Sequence, residues 1–80
     1  MNEAQIGGRG LGNRLKEVRA AQGLTQAELA LRVGVSRKTI NTVENGVFIP
    51  STLLALSLAQ ALAQPVEALF FLTGEALAAE

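Results

Sequence analysis

Eighty residues, 49% of them apolar, with seven acidic and seven basic side chains, suffice for one small domain with one core. The chain has neither cysteine nor histidine, which takes away a disulfide framework, thiolate and imidazole metal ligands, and the commonest general base. No cofactor, metal or enzymatic activity is expected, since clustered carboxylates are missing too.

No apolar run reaches the roughly 18 residues needed to cross a bilayer, and the N-terminus lacks a basic-then-apolar secretory pattern; a soluble, cytoplasmic protein with no membrane partner is expected. The zero net charge hides an asymmetry. All seven bases (Arg9, Arg14, Lys16, Arg19, Arg32, Arg37 and Lys38) precede residue 39, against only Glu3, Glu17 and Glu28. Residues 39–80 carry Glu44, Glu67, Glu75 and Glu80 and no base. One side is therefore expected to face a polyanion, with modest non-specific affinity and strong salt dependence.

Residues 1–12 hold Gly7, Gly8, Gly10 and Gly12 around Arg9 and read as a flexible arm. The arm is either a disordered leader or a carrier that takes Arg9 to a phosphate or the minor groove. Gly8-x-Gly10 is no nucleotide fingerprint, because no strand precedes it and Asn13 stands at the third position. Helix one is predicted from about Asn13, a candidate cap, to Gln22, with Gly23 as its stop. Leu15, Val18 and either Ala21 or Gln22 face inward.

Helix two is predicted over 26–33. Thr25 and Glu28 have the spacing of a capping box, and Leu24 with Leu29 that of a hydrophobic staple. Gly34 can take the left-handed conformation that closes a helix. Ser36 caps a third helix over 37–45, with Val35 and Ile40 as its staple pair, and Gly46 closes it. Leu29, Ala30, Val33, Ile40 and Val43 give each helix one inward stripe.

Two short helices joined by a glycine turn make a helix-turn-helix, whose second helix enters the major groove. Here that helix presents Arg37, Lys38, Asn41 and Thr42 away from its stripe, donor-rich side chains suited to base edges. A solvated face of an ordinary bundle is the competing reading. Thr25, Gln26 and Ser36, at the positive ends of two helices, suit phosphate oxygens.

Helix four is predicted from after Ser51 to about Ala63, with leucines on more than one face, and Pro65 opens helix five. Val66, Leu69 and Phe70 form its inward stripe. Leu53, Leu56, Phe71 and Leu72 exceed what one small core can bury and are read as a homodimer interface. Residues 73–80 form a tail that frays or extends helix five.

Leu15–Arg19, Gly23–Ala30, Val33–Ser36, Ile40, Glu44-Asn45-Gly46, Pro50-Ser51 and Val66–Phe70 together resemble the Cro/C1-type (XRE-like) helix-turn-helix family of bacterial and phage repressors. The resemblance covers residues 13–72 and implies an all-α, lambda-repressor-like bundle of five helices that binds operators as a dimer. It implies that Arg19 pairs with Glu44 to tie helix one to helix three, and that Gln26 and Asn45 hold the DNA backbone. The family usually carries Lys or Arg where Val47 and Phe48 stand, and Gly where Ala63 stands. The first departure weakens a phosphate contact and leaves Phe48 and Ile49 either tucked in or exposed; the second bears on how helix five packs. The expected function is a sequence-specific regulator, a repressor of bacterial, archaeal or phage origin, acting as a homodimer on a near-palindromic operator in double-stranded DNA. The alternative is an antitoxin-like protein that sequesters a protein partner and binds DNA secondarily.

Overall fold

Residues 8–74 are described by the computed structural model. They form β1 (Gly10–Asn13), α1 (Leu15–Ala21), α2 (Gln26–Val33), α3 (Arg37–Glu44), α4 (Thr52–Ala61), α5 (Val66–Leu69) and β2 (Phe70–Thr73). The predicted boundaries hold most closely where caps are written into the sequence. Thr25 accepts from the Glu28 N–H while the Glu28 carboxylate accepts from the Thr25 N–H, closing the capping box of α2. Ser36 and Ser51 cap α3 and α4 through the N–H groups of Thr39 and Leu54.

The core gathers one stripe from each helix. Leu15, Leu29, Ile40, Val43, Leu58, Leu62 and Leu69 are fully buried, with Ala30, Ala59 and Phe70 around them. Val18 packs against this cluster half-buried, whereas Ala21 and Gln22 face out. The Gln22 amide nonetheless donates to the Leu62 carbonyl at 2.7 Å, tying α1 to the end of α4.

An all-α fold is corrected by a small antiparallel sheet in which Gly10 pairs with Thr73, Leu11 with Leu72, Gly12 with Phe71 and Asn13 with Phe70. The glycine-rich stretch predicted as an arm therefore supplies a strand from residue 10, and helix five stops after one turn. The Arg14 N–H, bonded to the Leu69 carbonyl at 2.8 Å, continues the pairing. Gly12 lets the Phe71 ring lie against the strand, since a Cβ at this position would overlap that ring as it stands. Arg14 covers the same ring, its guanidinium carbon 4.3 Å from the centroid. The arm residues 1–7 and the tail residues 75–80 lie outside the described residues.

Two helix boundaries also move. α1 begins at Leu15, and Asn13 sits in β1, where its Oδ1 accepts from the Leu15 N–H at 3.0 Å and its Nδ2 donates to the Val43 carbonyl at 3.0 Å. α4 ends at Ala61, and Ala63 itself takes the left-handed conformation, φ 55°. Its N–H bonds to the Gln60 carbonyl and that of Gln64 to the Ala59 carbonyl, the paired bonds of a Schellman motif. The helix stops as it would with glycine, at the cost of a strained alanine. Among the described residues, no helix is long and apolar enough to cross a membrane.

Candidate nucleic-acid interface

The turn between α2 and α3 is closed by Gly34, φ 76°, with the N–H groups of Gly34 and Val35 both on the Ala30 carbonyl. Burial of Ile40 and Val43 then fixes the roll of α3. Arg37 and Lys38 emerge exposed on its first turn, and Asn41 and Thr42 follow one turn later, half-buried. All four predicted base readers thus sit on one helix, in two rows with i, i+4 spacing, Arg37–Asn41 and Lys38–Thr42.

Beneath the first row runs a connected polar network. Arg37 Nη1 donates to Gln26 Oε1 at 3.1 Å, and Gln26 Nε2 donates to Glu44 Oε1 at 3.0 Å. Glu44 also accepts from Arg19, Nε to Oε2 at 2.6 Å and Nη2 to Oε1 at 3.2 Å. Arg19 completes its fork on the Leu24 carbonyl at 2.7 Å. The pair is withdrawn from solvent, with side-chain exposure of 12% for Arg19 and 3% for Glu44. The hydrogen bond to Glu44 raises the Arg19 pKa above its ordinary value, burial opposing it. Glu44 is the acidic residue of α3, and Arg19 neutralises it. The outward surface of the helix is left to Arg37 and Lys38.

The remaining polar groups are held in specific ways. Gln26, expected on a phosphate, is oriented by Glu44 and in turn orients Arg37. Asn45 donates through Nδ2 to Asn41 Oδ1, a bond that does not use the Asn41 amide N–H groups. The Thr42 hydroxyl donates to the Thr39 carbonyl at 3.0 Å, and Ser36 Oγ lies 3.0 Å from Thr39 Oγ1. Thr25 and Ser36, the other expected backbone contacts, are exposed at the starts of α2 and α3.

The four residues read as a dimer interface fall on two elements. Leu53 and Leu56 lie exposed on α4; Phe71 and Leu72 lie on β2, Leu72 exposed and Phe71 half-buried under Arg14. Phe48 and Ile49 are exposed with Val47, so the loop after α3 carries an apolar surface. Leu31, 84% exposed on α2, and the two-way clamp of Asn13 were not singled out from sequence. The first breaks an otherwise regular stripe; the second depends on the strand pairing, which local periodicity does not report.

A helix-turn-helix family model matches residues 15–69. The chain is 41% identical over 63 residues to the uncharacterized HTH-type transcriptional regulator YgzD of Bacillus subtilis, spanning 79% of this chain and 96% of that one. It is 48% identical over 59 residues to an uncharacterized HTH-type transcriptional regulator of Methanothermobacter thermautotrophicus, spanning 72% and 86%. Among solved structures, the restriction-modification controller protein C.AhdI of Aeromonas hydrophila is similar with a TM-score of 0.66 and 38% identity, over 69% of this chain and 83% of that one.

Proposed function

Since the chain belongs to the Cro/C1-type (XRE-like) helix-turn-helix family of DNA-binding transcriptional regulators, we propose that it is a cytoplasmic repressor acting as a homodimer on a near-palindromic operator. The observation that carries this reading is the outward face of α3. Arg37 and Lys38 stand exposed on its first turn, while the acid of the same helix is buried against Arg19. Such a face meets a major groove without repelling phosphate.

In this reading Arg37, Lys38, Asn41 and Thr42 read bases, and Thr25, Gln26, Ser36 and Asn45 hold the backbone. Arg19 and Glu44 set the angle of α3 and touch no DNA. Leu53 and Leu56, with Phe71 and Leu72, meet a second copy and set two α3 helices about 34 Å apart, one turn of DNA. Blocking of a promoter then follows from occupancy.

Selection of bound duplexes from a random pool, at low and high salt, tests the reading. A two-fold symmetric motif with half-sites about 10 base pairs apart is expected. Failure to enrich any sequence, or binding by a species that sediments as a monomer, overturns it.

A further inference from the structure

The second row of α3 borders a hollow of about 340 Å³ lined by Ser36, Lys38, Thr39, Thr42, Val47 and Phe48. Its chemistry differs from that of the Arg37–Asn41 row. Val47 is 77% exposed and Phe48 47% exposed, so two large apolar side chains stand in solvent beside a face otherwise built from donors. The three hydroxyls on the wall are used internally. Ser36 Oγ accepts from the Thr39 N–H and shares a hydrogen bond with Thr39 Oγ1, and Thr42 Oγ1 donates to the Thr39 carbonyl. The hollow therefore offers methyl and methylene groups, with one cation, Lys38, at its edge.

We propose that this hollow receives the C5-methyl group of a thymine, so that Val47, Phe48 and Thr42 determine sequence through apolar contact while Arg37 and Asn41 read hydrogen bonds. The proposal rests on the docking of α3 in the major groove described above. In that groove each base pair presents hydrogen-bonding atoms, and the thymine methyl is the one apolar group that separates a T·A pair from the others. The exposed side chains of Val47 and Phe48 on this wall gain from the burial of a methyl. Lys38 at the edge reaches a phosphate or a neighbouring guanine without entering the hollow. A loop with Val47 and Phe48 in place of cations also gives up phosphate charge contacts, so affinity at this edge rests on contact area and falls less steeply with salt.

The selected duplex provides the test. Each thymine of a half-site is replaced singly by deoxyuridine, which removes only the methyl, and affinity is measured for the full chain. At one or two positions per half-site a loss of about fourfold is expected, the effect of one buried methyl. A companion series replaces the same T·A pair by C·G with either cytosine or 5-methylcytosine. The methylated base binds more tightly than cytosine if the methyl is what the hollow reads; equal binding overturns the proposal. In V47A and T42S the thymine-over-deoxyuridine ratio falls towards one at that position and is kept at others. Because Val47 is exposed and Thr42→Ser keeps the hydroxyl, both variants are expected to fold, which circular dichroism checks. A ratio unchanged in both variants, or no thymine sensitive to the substitution, overturns the methyl reading while leaving the regulator intact. A chain that selects no duplex overturns the regulator reading and this one with it.

Discussion

Helices α3 and α4 start alike and behave differently. Each is capped by a serine hydroxyl on the third N–H, and each ends in a left-handed residue with paired bonds back to the last turn. Yet α3 buries only Ile40 and Val43 and is polar elsewhere, while α4 carries no charged residue and leaves Leu53 and Leu56 in solvent although Leu58 is fully buried. A helix that meets water and phosphate on most of its surface needs one stripe. A helix apolar nearly all round has more apolar surface than its own domain covers. The two helices give the molecule one polar outward face, on α3, and one apolar outward face, on α4.

The sharpest way to break that contrast is to treat the leucines of α4 as equivalent. Leu58→Ala removes a buried side chain and is expected to cost roughly 3 kcal/mol, lowering Tm by more than about 10 °C. Leu53→Ala, at a site 77% exposed, is expected to move stability by less than about 0.5 kcal/mol. Its effect is expected in self-association, read by sedimentation across a concentration series. Comparable destabilisation by both would mean that the roll of α4 is wrong.

Close behind comes the network under α3. Glu44→Ala leaves the Arg19 charge withdrawn from water and the Gln26 amide without its acceptor, and is expected to cost about 3 kcal/mol. Glu44→Gln keeps an acceptor and is expected to lose less. Arg37→Ala lies at the exposed end of the same chain of bonds and is expected to leave Tm within the equivalent of about 0.5 kcal/mol while lowering DNA affinity. Thermal melts of the three variants, beside binding to a selected duplex, separate the two roles. An unchanged melt for Glu44→Ala would remove the structural assignment of the pair.

The same contrast explains what could be read from the sequence. In α2 and α3 the cap, the stripe and the closing glycine agree, so the spans predicted from these signals lie within a residue of those observed. In α4 the leucines fit several faces, and only packing against the other helices selects Leu58 and Leu62. The sheet was missed for a different reason. Residues 10–13 and 70–73 pair across almost the whole chain, and glycine-rich sequence at one end reads as an arm. The run Phe70-Phe71-Leu72-Thr73 carries the available signal, since aromatic residues and threonine favour a strand. Within the candidate site, the outward side chains of α3 followed from its stripe. The bonds that hold α3 in place did not, because the Asn13 clamp reaches Val43 from another element and the link from Gln26 to Arg37 crosses between two helices.

The two C-terminal ends give a smaller effect of opposite sign. α3 closes with Gly46 at φ 74° and α4 with Ala63 at φ 55°, through the same pattern of bonds. Left-handed backbone costs an alanine roughly 1–2 kcal/mol. Glycine relieves this strain but adds freedom to the unfolded chain. The expected result for Ala63→Gly is a net gain of about 0.5–1 kcal/mol, raising Tm by a few degrees. Gly46→Ala should do the reverse. A destabilised Ala63→Gly would show that the alanine methyl contributes packing that outweighs the strain.

The least effect belongs to the one cap that differs in kind. α2 alone adds a carboxylate to its cap: Glu28 accepts from the Thr25 N–H at 2.8 Å, where α3 has Thr39 and α4 has Leu54 at the third position. That bond to the Thr25 backbone, followed by hydrogen bonding from the Thr25 hydroxyl, holds the Glu28 carboxyl below the ordinary carboxylate range. The sign follows from linkage. A carboxyl depressed in the folded state contributes stability at pH values above its unfolded range, and the contribution is lost as pH falls through the folded value. The Thr25 amide proton, followed by NMR through an acid titration, is therefore expected to move with a midpoint below that of a free glutamate. In Glu28→Gln the amide oxygen still accepts the bond but cannot titrate, so the transition at Thr25 disappears while the helix start stays ordered. In Glu28→Ala both the transition and the bond are lost, and α2 begins to fray before α3 and α4, whose serine caps do not titrate. A Thr25 proton that titrates identically in the parent chain and in Glu28→Gln would place its pH response on another group and leave the α2 cap no different from the other two.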